Sequence, residues 1–202
     1  AGTDKLTGAW NRRRIEECVR SEMDRLNRYD QPLSLLVVDI DHFKAINDQH
    51  GHGAGDQVLQ AVTSLLQSRL RGTDALARWG GEEFVVVCPN TGRSTAALLA
   101  ERLRGQIASA EFPLIGQLTV SIGAAECSPG DTWEEWFQRA DEALYRAKTG
   151  GRNQVQLAPE TTPAPDTQEY VVANFVQLVW HSAYECGNEL VDRGHRQLFA
   201  DA

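Results

Sequence analysis

The run Leu33-Ser-Leu-Leu-Val-Val-Asp-Ile40 constrains this chain more than any other feature. It is almost continuously apolar, with no polar alternation, and so reads as a strand buried on both faces. A chain with such a strand must cover its sheet with helices on two sides. The run also ends in Asp39 and Asp41. A carboxylate at the end of a buried strand is costly unless it is paired or holds a cation. A second apolar run, Phe84–Val87, follows Arg78-Trp-Gly-Gly-Glu-Glu83. Gly-Gly suits a two-residue hairpin turn because both positions tolerate positive φ. The expectation is a hairpin of Ala75–Trp79 and Glu83–Pro89 turning at Gly80-Gly81. Taken alone, a glutamate beside such a turn is simply solvated.

The remaining periodicities predict a helix from Asn11 to about Asn27 and a Gly/His/Asp-rich loop from Asn47 to Asp56. A helix carrying Val58, Leu59, Val62, Leu65, Leu66 and Leu70 follows. Further elements are a helix over Ser94–Ser109, a strand over Leu118–Ala125, a helix over Trp133–Lys148 and a strand over Gln154–Leu157. Without the first helix and the closing helix and strand, the order is β-α-β-β-α-β. That is an α+β sandwich with helices packed on a mainly antiparallel sheet.

Composition excludes several classes. A net charge of −8 argues against a nucleic-acid partner. No run reaches the roughly 18 apolar residues of a membrane span, and the N-terminus lacks a signal-peptide pattern. The four cysteines form no CxxC pair, as expected for free thiols in a reducing, cytoplasmic setting. Charge is uneven: residues 1–158 hold 18 Lys+Arg against 21 Asp+Glu, and residues 159–202 hold 2 against 7. A domain over 1–157, a Pro/Thr-rich linker over 158–168 and a partly helical segment over 169–202 follow from this division.

If the hairpin lies beside the first strand, Asp39 and Glu82 converge. Clustered carboxylates are hard-oxygen ligands suited to Mg²⁺ or Mn²⁺ held together with a phosphate. Phe43-Lys44-Ala-Ile-Asn47 then supplies backbone N–H groups and a cation. Lys148 and Arg152 place two cations at a helix C-terminus. They either complement the helix dipole or, beside a metal, clamp a triphosphate. His50 and His52 sit in the Gly-rich loop, where turn-stabilising or nucleotide-adjacent roles suit them better than metal ligation.

These motifs, with Asp4-Lys-Leu-Thr-Gly8, Asn11-Arg-Arg13, Val120-Ser-Ile-Gly123 and Ala140-Asp-Glu-Ala-Leu-Tyr-Arg-Ala-Lys148-Thr-Gly-Gly-Arg-Asn153, resemble the GGDEF-domain diguanylate cyclases over roughly residues 3–157. Glu82 stands where the family signature has Asp. The resemblance implies an enzyme that condenses two GTP into cyclic di-GMP, with a homodimer needed for catalysis. It implies two Mg²⁺ (or Mn²⁺) ions per GTP site on Asp39, Glu82 and the Ile40 carbonyl. Glu82, or a water it orients, becomes the base, with Glu83 as a supporting catalytic position. Phe43, Lys44, Lys148 and Arg152 would hold phosphates, and Asn47 and Asp56 guanine. Arg71-Gly-Thr-Asp74 matches the family's RxxD inhibitory product site, with Arg102 as a secondary arginine. The alternatives are a catalytically silent cyclic di-GMP-binding module, a related nucleotide cyclase or palm-fold polymerase, and a dimerisation module.

Residues 179–199 resemble the opening of a bacterial hemerythrin domain, with His195 at the first histidine ligand. A di-iron centre would require later ligands that this stretch does not carry. It is therefore expected only in a native protein that continues.

Overall fold

The computed structural model describes residues 2–161. The hemerythrin-like stretch, His195 and Cys186 lie outside the described residues, as does most of the linker. The central strand β1 (Leu33–Ile40) is buried along its whole length, as its apolar run requires. It pairs antiparallel with β3 (Glu83–Pro89) on one side and β4 (Val120–Glu126) on the other. β2 (Ala75–Gly80) adds antiparallel to β3, and β5 (Val155–Leu157) adds parallel to β4. The sheet order is β2-β3-β1-β4-β5.

Period-2 alternation sends successive side chains of β1 to opposite faces. Leu36, Val38 and Ile40 enter one core with residues of α2 (Phe43–His50), α3 (His52–Gln67) and α4 (Arg93–Ser109). Leu33, Leu35 and Val37 enter a second core with α1 (Arg12–Tyr29) and α5 (Trp133–Thr149). Each face is covered, which is why the run shows no polar alternation. Trp136, fully buried on α5, donates its indole N–H to the Ala125 carbonyl at 3.0 Å. Thr132 and Glu135 form a capping box that starts that helix.

Three sequence expectations need correcting. The stretch from Asn47 to Asp56 is not a loop: α2 and α3 run through it, broken only at Gly51. Gly51, at φ 84°, ends α2 and begins α3. Without side-chain cost in that conformation, a glycine condenses a long connection into one residue. The hairpin also turns at Gly81-Glu82, because β2 continues through Gly80, which pairs with Glu83. A register shift between Arg78 and Gly80 supplies the extra residue. The Arg78 guanidinium holds the turn, donating to the Gly81 carbonyl from Nε at 2.9 Å and Nη2 at 2.8 Å. Ala158, which composition assigns to the linker, is buried, and its N–H donates to the Ala124 carbonyl at 2.7 Å.

The tightest contact between sheet and helix is at Gly123 of β4. A Cβ built there would lie 2.1 Å from the Ala140 carbonyl oxygen and 2.3 Å from the Leu144 nitrogen. Both are backbone atoms, so α5 would have to move off the sheet. Gly123→Ala should therefore destabilise the domain by about 2–4 kcal/mol, read as a lowered midpoint in urea. A midpoint unchanged from wild type would show that α5 is free to shift.

Candidate active site

Register decides which carboxylates meet. Asp39 lies directly opposite Glu83 on β3 and Ser121 on β4. Cross-strand partners share a face, and for these residues it is the face covered by α5. Like charges opposite one another destabilise a sheet, so this pair is retained against a cost. Lys148 of α5 offsets part of it, its Nζ lying 2.8 Å from Asp39 Oδ2. Asp39 is 5 % exposed. Burial pushes its carboxyl above the ordinary value, Lys148 opposes the rise, and Glu82 and Asp41 add to it. Glu83 is raised for the same reasons, burial first and then Asp39, with Asp141 of α5 contributing. Glu82 sits in the turn, and its carbonyl accepts from the Ile40 N–H at 3.4 Å.

Sequence reasoning set Glu82 against Asp39 and treated Glu83 as the remoter neighbour. In the structure Glu83 is the direct cross-strand partner, because the β1–β3 register sets Asp39 against Glu83 and leaves Glu82 beside Ile40. Both glutamates remain within electrostatic reach of Asp39.

On the other side of β1, α2 begins immediately after Asp41. It has no side-chain N-cap, and His42 before it is left-handed at φ 57°. Its first-turn amides are therefore available for an anion. Phe43 is buried in the core, so its possible contribution to a ligand is through its backbone, while Lys44 is exposed. Asn47 of α2 packs against α3 at Gly55, the residue before Asp56. A Cβ on Gly55 would fall 2.0 Å from Asn47 Oδ1, so the bare glycine makes room for the Asn47 amide beside Asp56. Arg152 is exposed in the turn after α5.

The RxxD residues occupy the turn before β2. The Arg71 N–H donates to Asp74 Oδ2 at 2.8 Å, and the Asp74 N–H donates to the Arg71 carbonyl at 3.0 Å. Both side chains line a cavity of about 430 Å³ that also includes Trp10, Arg14 and Gln67. Arg14 stacks over Trp10 at 4.0 Å from the ring centroid. Arg102 does not line this cavity; its guanidinium donates to the Arg69 carbonyl at 3.0 Å.

Some contributors escaped sequence reasoning. Asp4 accepts from the Thr7 N–H and hydroxyl at 3.0 and 2.7 Å and from Arg78 at 3.3 Å. Burial works against the Asp4 charge, but these bonds outweigh it and hold the carboxyl below its usual value. Thr119 and Ser121, with Asp41, form a buried cluster at the end of β1. Period 2 was the available signal for Asp41, since it places Asp41 on the face of Asp39.

Fold and site together define a class: an α+β domain presenting an acidic strand end, an uncapped helix start and a basic helix end around one central strand. Residues 1–154 match the family model described as diguanylate cyclase, GGDEF domain. The chain belongs to the GGDEF family. It is 45% identical over 159 residues to the diguanylate cyclase DgcP of Pseudomonas aeruginosa, covering 77% of this chain and 24% of that protein. It is 40% identical over 158 residues to the probable diguanylate cyclase DgcC of Escherichia coli, covering 77% of this chain and 43% of that protein. The GGDEF domain of DgcB from Caulobacter crescentus, solved in complex with c-di-GMP, superposes with a TM-score of 0.76 at 36% identity. That match covers 78% of this chain and 96% of the DgcB chain. The chain thus spans less than half the length of these curated relatives.

Proposed function

We propose that this domain is a diguanylate cyclase, joining two GTP into cyclic di-GMP with release of two pyrophosphates. The observation that carries the reading is the pairing of Asp39 with Glu83 on a sheet face where Lys148 already meets the Asp39 carboxylate. Each chain would hold one GTP, and two chains would face each other so that each 3′-hydroxyl attacks the other's α-phosphate. Access to GTP places this chemistry in the cytoplasm.

The donor set fits a divalent metal. Among the described residues no three His, Cys, Asp or Glu side chains gather as a metal cage. Mg²⁺ ordinarily takes one or two carboxylates and completes its shell with water and phosphate. Asp39, the Ile40 carbonyl and Glu82 would hold the ions, with Glu83 as a charge neighbour. Bound metal neutralises charge building on the α-phosphoryl oxygens and lowers the pKa of the attacking hydroxyl. Glu82, or a water it orients, accepts that hydroxyl's proton. The α2 amides, Lys44, Lys148 and Arg152 bind the β- and γ-phosphates, whereas Asn47 and Asp56 read guanine. Arg71 and Asp74 offer a guanidinium fork and a carboxylate to a guanine edge of the product. The c-di-GMP in the DgcB complex supports product binding in this family. Arg102 would join from outside the cavity once released from Arg69. We read residues 169–202 as the opening of a hemerythrin-like domain in which His195 is the first iron ligand. Iron in purified full-length protein tests that reading.

Incubation with GTP and Mg²⁺ followed by product mass tests the main proposal. Cyclic di-GMP and pyrophosphate should appear, with a rate that rises more steeply than linearly with protein concentration. The progress curve should bend as product accumulates, and Arg71→Ala should straighten it. Folded protein that binds cyclic di-GMP but makes none would be a silent binding module. Equal bending in Arg71→Ala would remove the inhibitory site from this cavity.

A further inference from the structure

Asp41 is 4 % exposed, and no lysine or arginine pairs with it among the described residues. Its carboxylate is occupied within the fold. Oδ1 accepts from the Ser121 hydroxyl at 2.7 Å, and Oδ2 accepts from the Thr119 hydroxyl at 2.6 Å. Oδ2 also accepts from the backbone N–H of Asn153 at 3.0 Å, a bond that crosses 112 residues of sequence. Its own N–H donates to the Thr119 carbonyl at 2.9 Å. With both oxygens engaged, this carboxylate is poorly placed to serve as a ligand to anything outside the protein.

What it holds is unusual. Gly151, Arg152 and Asn153 are consecutive left-handed residues, at φ 114°, 63° and 45°. Asn tolerates such a conformation better than most residues, but for Arg it is disfavoured and persists where the surroundings impose it. The Arg152 N–H returns to the Ala147 carbonyl at 3.0 Å, and Arg104 donates to Asn153 Oδ1 at 2.7 Å. The Asp41 bond, like that from Arg104, is charge-assisted, and it comes from two residues beyond Asp39.

We infer that Asp41 is a positioning residue for the phosphate-binding arm. It ties the left-handed turn that carries Arg152 to the strand end that carries Asp39, so the two halves of the site keep one geometry. Asp41 touches neither nucleotide nor metal and acts through Arg152. The inference rests on the phosphate role given above to Lys148 and Arg152.

Asp41→Asn is the test, since an amide supplies one acceptor oxygen where three donors converge. Binding is measured by calorimetry with 3′-deoxy-GTP, which lacks the attacking hydroxyl, and with 3′-deoxy-GMP, which lacks the β- and γ-phosphates. Asp41→Asn should melt cooperatively and bind the monophosphate within about twofold of wild type, yet bind the triphosphate on the order of tenfold more weakly. Arg152→Ala should show the same pattern, and the double variant should be no weaker than Arg152→Ala alone. Multiplying losses in the double variant would overturn the inference, as would equal losses for both nucleotides. If Asp41→Asn does not fold, amide exchange in wild type decides. The Asn153 N–H should be protected well beyond that of Gly151, and an unprotected Asn153 would overturn the tether. Wild-type protein that binds both nucleotides alike would instead overturn the phosphate assignment itself.

Discussion

Asp39→Asn protein should make no measurable cyclic di-GMP, a loss of at least about 10³-fold, yet unfold at a higher temperature than wild type near pH 7. The activity loss follows from the metal-holding role proposed for this buried carboxylate, which Lys148 also meets. The stability gain follows from the same burial. The Asp39 carboxyl is raised above its ordinary value of 3.8, chiefly by desolvation. A raised carboxyl means that the folded state favours the proton. Its stabilising share is fully present below the unfolded value and is lost as pH rises through the folded one. At neutral pH the wild type therefore carries a destabilising charge that asparagine lacks, while Lys148, one-third exposed, can return to water. The gain should be about 1 kcal/mol, or roughly 2–4 °C in a domain of this size. It should shrink as pH falls through the raised Asp39 value. Melting curves without divalent ions test this, and a variant that melts below wild type at pH 7 would show Lys148 contributing more than desolvation costs.

The second large effect concerns base choice. Asp56→Ala should lower kcat/KM for GTP by about 10²–10³-fold and shrink the preference for GTP over ATP by a similar factor. A carboxylate accepts from guanine N1–H and N2–H₂, a donor face that adenine lacks. Sites built on such bonds discriminate strongly because the wrong base leaves polar groups unpaired. Asp56 is exposed, so the melting temperature should not change. Rates with GTP and ATP as single substrates measure the ratio, and an unchanged preference would move guanine recognition elsewhere.

The architecture was legible because β1 and β3 are apolar without alternation, which left only a sheet covered on both faces. Candidate site residues were chosen from sequence as residue types, and of these the fold brings Asp39, the two glutamates and Lys148 to the end of β1. What sequence could not supply was register. The pairing of β1 with β3 sets Glu83 rather than Glu82 opposite Asp39, and Gly-Gly gave no sign of the shifted turn that Arg78 holds. Nor does local pattern show that Gly51 alone separates two helices, since His50-Gly-His-Gly reads as loop until the packing of Asn47 against Gly55 is known. Arg102 shows a different limit: sequence offset does not reveal that its guanidinium donates to the Arg69 carbonyl.

The Arg78 clasp has a mechanical consequence. Trp10 bridges to Ala77 of β2, exchanging bonds with Leu76 and Arg78 at 3.0 and 2.9 Å, so the segment before α1 is zipped onto the sheet edge. Asp4 in that segment grips Arg78, and Arg78 grips the Gly81 carbonyl, one residue before Glu82. Residues 4–10 and the β2–β3 hairpin thus form a short latch. A pull of an ångström on Asp4 would be delivered to the Glu82 position through one ion pair and one turn, with no helix displaced.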